Sequence, residues 1–146
     1  MRVLLDANVV IRALLPLPNP YRSVDVIVDA ALRRSFTVLM PRQLRREVLT
    51  RTSGRPYLNT RIERSDAERL VTLLEQTGEK QPVLVGPHSP FCRDPKDDYL
   101  VAYALSGAAD YLVTGDDDLL VLDGRFPFRI VRPPELLAVL REQGLS

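Results

Sequence analysis

At 146 residues, 45% hydrophobic, 27% charged and with a net charge of +1, the chain suits one domain over residues 1–146 that buries a core unaided. One cysteine, Cys92, excludes an internal disulfide framework; with the single histidine, His88, it also excludes a four-ligand structural zinc site. No apolar run nears the roughly 20 residues of a membrane span, and Asp6 interrupts the amino terminus too early for a signal peptide. A soluble, cytoplasmic protein with no membrane partner is expected.

Hydrophobic period alternates between strand and helix along the chain. Residues 2–6 are a short apolar run ending in an acid, a buried first strand, and a short helix follows over 8–15. Ser23 reads as an N-cap before the stripe Val24, Ile27, Val28, Ala31 and Leu32. Residues 36–40 form a second strand, and Pro41 opens a helix carrying Leu44, Glu47, Val48 and Arg51. Ser65-Asp66-Ala67-Glu68 fits a capping box, with Leu70, Leu73, Leu74 and Thr77 continuing to Gly78.

A third strand is expected at 82–86, a loop at 87–93, then a helix from Asp94-Pro95 with Leu100, Val101, Ala104, Leu105 and Ala108 on one face. Residues 111–114 read as a fourth strand, 115–118 as an acidic turn, 119–122 as a helical turn and 128–131 as a fifth strand. A proline-started helix over 133–143 closes the chain. Short β-rich runs separated by helices imply parallel pairing, so the expected fold is α/β, a three-layer α/β/α sandwich with a central parallel sheet of about five strands. Ligands of such sheets bind beyond the carboxyl ends of the strands.

Those ends are acidic. Asp6 ends the first strand, Glu47 lies in the helix after the second, Asp94, Asp97 and Asp98 follow the third, and Asp116, Asp117 and Asp118 the fourth. Each has a plainer role: Asp6 and Asp94 as helix caps, Glu47 as a solvated helix acid, Asp116 as turn chemistry. Asp97 shares helical spacing with Val101, Ala104 and Ala108, while Asp98 is turned by about 100° from that stripe. Carboxylates gathered at one edge repel one another and call for raised pKa values or a cation. Oxygen-only ligands favour Mg²⁺ or Mn²⁺, and the chemistry that follows is phosphoryl transfer or phosphodiester hydrolysis. The charge distribution fits a polyanionic partner: residues 33–69 hold ten arginines against four acids, whereas residues 94–123 hold eight aspartates against one lysine.

Leu4-Leu5-Asp6-Ala7-Asn8-Val9-Val10-Ile11, Arg46-Glu47-Val48-Leu49, Asp94-Pro95-Lys96-Asp97-Asp98 and Ala109 to Leu120, with its Val113-Thr114-Gly115-Asp116-Asp117-Asp118 core, together resemble a PIN domain, closest to VapC-type toxins of toxin–antitoxin pairs. The resemblance runs from Arg2 to about Leu136. It implies that Asp6, Glu47, Asp97 and Asp116 are the acidic quartet that binds Mg²⁺ or Mn²⁺, supported by Asn8 and Thr114 and by Asp118 as a further acid. It also implies a metal-dependent endoribonuclease acting on single-stranded RNA, homodimers, and a cognate antitoxin over the active site. Two other readings stand beside it: an aspartyl-phosphate phosphatase or phosphotransferase using Asp6, and a non-catalytic module whose acidic edge docks a basic partner tail. Asn8 stands where haloacid-dehalogenase-like phosphatases carry a second aspartate.

Overall fold

Val3, Leu4 and Leu5 are wholly buried, and this unalternating run forms the middle strand of a sheet covered on both faces. The computed structural model describes residues 1–16, 22–84 and 98–145. Its first half contains β1 (Arg2–Leu5), α1 (Ala7–Leu14), α2 (Ser23–Leu32), β2 (Thr37–Met40), α3 (Arg42–Gly54), α4 (Pro56–Asn59) and α5 (Arg64–Thr77). Then come β3 (Glu79–Lys80), α6 (Asp98–Ser106), β4 (Tyr111–Val113), α7 (Asp117–Leu120), β5 (Arg129–Val131) and α8 (Pro133–Glu142). Among the described residues no helix is long and apolar enough to cross a membrane.

The five strands are parallel in the order β3-β2-β1-β4-β5. The chain therefore steps outward from β1 to β3, then returns past β1 to build β4 and β5 on its other side. Right-handed crossovers put helices preceding β3 on one face and α6 on the opposite one. Accordingly α1, α2, α3 and α5 pack against each other, and α6 packs on β4. The expected α/β sandwich is the fold observed, and its direction reverses between β1 and β4.

Several boundaries differ from expectation for identifiable reasons. The third strand is Glu79–Lys80, not 82–86: the chain turns extended at Gly78 and pairs Glu79 with Leu39 and Lys80 with Met40. Both residues are exposed and carry no apolar signal, while Pro82 has no N–H to give a ladder. Residues 82–84 are not strand, and 85–86 lie outside the described residues. Gly78 has no room for a side chain, since a Cβ would sit 2.2 Å from the Val38 carbonyl oxygen.

Helix starts shift as well. Arg22, not Ser23, precedes α2, and its guanidinium grips Asp25 and the Arg12 and Leu15 carbonyls. Glu63, not Ser65, is the N-cap of α5; buried Ile62 and Ala67 then have the spacing of a hydrophobic staple. Helix α7 begins two residues before the expected helical turn because the Asp116 carboxylate accepts the Asp118 N–H. Ala108 does not extend the buried face of α6. That helix ends at Ser106; the Ala109 N–H bonds to the Ala104 carbonyl, the Ala108 N–H to the Leu105 carbonyl, and Ala108 sits exposed at φ 50°. This is a Schellman ending with alanine where glycine is usual. Leu73 and Leu105 are also more exposed than their stripes imply. The expected helix start at Asp94-Pro95 lies outside the described residues.

Candidate active site

Asp6 directly follows β1 and Thr114 directly follows β4, the two strands that flank the reversal of strand order. This is the crevice where open parallel sheets bind ligands. The Asp6 N–H bonds to the Val113 carbonyl, so the carboxylate leaves the sheet at a fixed point. It caps α1, with Oδ1 facing the Asn8 N–H at 3.5 Å, while Oδ2 accepts a 2.7 Å bond from the buried Thr114 hydroxyl. Thr114 Oγ1 also accepts the Asp116 N–H at 3.0 Å, and Asp116 Oδ1 accepts the Asp118 N–H at 2.9 Å. Asp6, Thr114, Asp116 and Asp118 are thus one hydrogen-bonded chain across two strand ends.

Asp6 is only 4% exposed. Burial pushes its pKa above the ordinary carboxylate value, and the negative Asp116 nearby adds to the rise. The Thr114 hydroxyl, the Asn8 N–H and the Arg51 guanidinium act in the opposite direction without cancelling it.

Glu47 projects from α3 and its oxygens have separate partners. Arg51, one turn on, donates to Oε1 at 2.7 Å and to Asn8 Oδ1 at 2.9 Å, tying α3 to the start of α1. The Tyr99 hydroxyl, reaching from α6, donates to Oε2. Burial and the Glu47 carboxylate drive the Tyr99 phenol pKa far up, so it remains a donor. Gln43, Arg46, Glu47 and Thr50 on one side of α3 join Tyr99 around a cleft of about 350 Å³.

Of the expected site residues, Asp6, Asn8, Thr114, Asp116 and Asp118 meet at the β1–β4 crevice, and Glu47 connects to Asn8 through Arg51. Asp97 lies outside the described residues, as do Asp94, His88 and Cys92. Among the described residues no three of the His, Cys, Asp and Glu side chains are grouped closely enough to hold a metal ion. Arg51, expected only as part of the arginine-rich stretch that faces a polyanion, and Tyr99 also belong to the site, where neither was expected. Glu47 and Arg51 at i, i+4 were a visible ion-pair signal; nothing in the sequence announced that Tyr99 crosses from the opposite layer.

A PIN domain family model matches residues 2–118. The chain belongs to the PIN domain family. The match ends at Asp118, so the hydrogen-bonded acids lie within it and β5 and α8 beyond it. No curated protein matches the chain. PIN domains are generally nucleases and usually use divalent metal ions, and the donor set of this PIN domain suits such an ion. Its candidate ligands are all oxygen, and Asp6 and Asp116 repel each other in a way a dication relieves.

Proposed function

We propose that this PIN domain is a Mg²⁺- or Mn²⁺-dependent endoribonuclease that cuts phosphodiester bonds of single-stranded RNA, acting as the toxin of a toxin–antitoxin pair. The observation that carries the nuclease reading is the Asp6–Thr114–Asp116 chain at the point where strand order reverses. A divalent ion held there supplies the charge stabilisation and water activation that phosphodiester hydrolysis needs.

Asp6, Asp116, Glu47 and Asp97 are the candidate ligands. The chain's own contribution is positioning. The Thr114 hydroxyl donates to Asp6 and accepts from the Asp116 backbone, which sets the spacing of the two carboxylates. The Asp118 N–H orients the Asp116 carboxylate. Arg51 holds Glu47 and Asn8 together and offsets part of the negative charge while no cation is bound. Glu47 would serve as a ligand only by giving up its bond from Arg51 or from Tyr99. The toxin role rests on the motif resemblance, and its cognate antitoxin would cover the acidic edge.

Labelled single-stranded RNA incubated with the protein and Mn²⁺ or Mg²⁺ tests the chemistry. Cleavage that EDTA stops, and that Asp6→Asn and Asp116→Asn each reduce at least 100-fold, is expected. Cleavage indifferent to chelation or to both substitutions overturns it. Growth arrest on expression of the wild-type chain but not of Asp6→Asn is the result expected of a toxin.

A further inference from the structure

The arginines of the basic segment are not equivalent in the folded protein. Arg51 is engaged by Glu47, Arg64 by Glu68 and Arg33 by Asp29. Arg42 is different: among the described residues its side chain has no hydrogen-bond or ion-pair partner, and neither does the side chain of Lys80. Both are exposed, and both line one cavity of about 630 Å³ between the start of α3, the end of β3 and the flank of α5.

Arg45 lines the same cavity, held in place by the Glu75 carboxylate at 2.6 Å and the Thr72 hydroxyl at 3.3 Å, both through Nη1. The rest of its guanidinium fork remains for a ligand. Three cations therefore face one carboxylate, Glu75. The aliphatic wall of the cavity is formed by Met40, Pro82 and the half-exposed Val83. The volume lies in the range of sites that take nucleotide-sized molecules.

Strand register fixes where this cavity stands. Leu4 pairs with Leu39 and Met40 with Lys80, so continuing both ladders puts Pro41 level with Asp6 and Gln81 level with Pro41. The cavity thus begins about one strand spacing, ~4.8 Å, from the Asp6 row and extends about one further spacing along the same carboxyl edge. It is in line with the acidic crevice and of opposite charge.

We propose that this cavity is a phosphate subsite for the RNA strand. Arg42 and Lys80, assisted by the pre-positioned Arg45, bind the backbone phosphate beside a nucleotide next to the one being cut, and the aliphatic wall receives its sugar and base. The direction of the strand rests on the nuclease reading; the phosphate binding does not. Phosphate contacts of this kind position the chain without reading its sequence.

The test is fluorescence anisotropy of a labelled single-stranded RNA in EDTA, where no cleavage occurs, across a salt series. Replacing both cations, Arg42→Gln with Lys80→Gln, should weaken binding at least 10-fold at low salt. It should also flatten the slope of log K against log[salt] by about 1.4, from two lost phosphate contacts. Arg42→Lys with Lys80→Arg should keep the wild-type slope, and so should the control pair Arg34→Gln with Arg141→Gln at the opposite edge of the sheet.

An unchanged slope in the double glutamine variant overturns the proposal. AMP or inorganic phosphate binding that the variant loses, with RNA binding intact, also overturns it by making the cavity a free-nucleotide site. Salt-sensitive RNA binding by a wild-type protein that cleaves nothing removes the nuclease reading and leaves the subsite standing. Cleavage with an unaltered slope does the reverse.

Discussion

Asp6→Asn should make the metal-free protein more stable while abolishing its activity. Asn caps helices about as well as Asp, so the cap of α1 survives the change. What disappears is a negative charge at a position 4% exposed. Losing it removes the desolvation cost and the repulsion from Asp116; it also forfeits attraction to Arg51 and the charge in the Thr114 bond. The upward direction of the Asp6 pKa gives the net sign: these influences together disfavour the charged form, with burial the largest. Relieving such a site typically gains about 0.5–2 kcal/mol, which is roughly 2–8 °C in Tm for a domain of this size.

Because the folded pKa exceeds the unfolded one, the stability linked to Asp6 is fully present below the unfolded value, about 3.9, and is lost as pH rises through the folded value. Thermal unfolding in EDTA should therefore show Asp6→Asn above wild type at pH 7, with the gap closing toward pH 4. Saturating Mn²⁺ should reverse the order. A ligand at 100 times its Kd adds about 2.7 kcal/mol to the protein that binds it, and the variant has lost a ligand. An Asn variant less stable than wild type in EDTA at pH 7, with a gap independent of pH, refutes the reasoning.

Thr114→Val leaves the Asp6 carboxylate and the Asp116 N–H without their buried partner, so it should cost about 1–3 kcal/mol in denaturant titrations; Thr114→Ser should restore most of it. Gly78→Ala forces a Cβ into the Val38 backbone and should destabilise by about 1–3 kcal/mol, read as a lower urea midpoint at constant m. Ala108→Gly relieves the left-handed position after α6 and should stabilise by about 1 kcal/mol in the same assay. Arg51→Gln removes the half-buried partner of Glu47 and should lower stability by about 1–3 kcal/mol in EDTA, less at high salt.

Short unbroken apolar runs separated by helical stripes sufficed for the α/β class, because a strand buried on two faces and a helix buried on one leave different apolar patterns that need no tertiary knowledge to see. Asp6 and Asp116 were legible for a related reason: they closely follow apolar runs, and parallel pairing sends every strand end to one edge, whereas Thr114 was marked only by the motif resemblance. Strand order was not legible, since a right-handed crossover can step to either side of β1 with the same local pattern. The reversal that joins the β1 and β4 ends therefore emerged only in the fold. The exposed two-residue β3 escaped as well, because an edge strand held by backbone pairing leaves no hydrophobic trace. Tyr99 meeting Glu47, and the sorting of arginines into paired and unpaired, were likewise decided by packing. Each depends on which helix faces come together across long sequence separations, and a side chain's own neighbours in the chain carry no record of that.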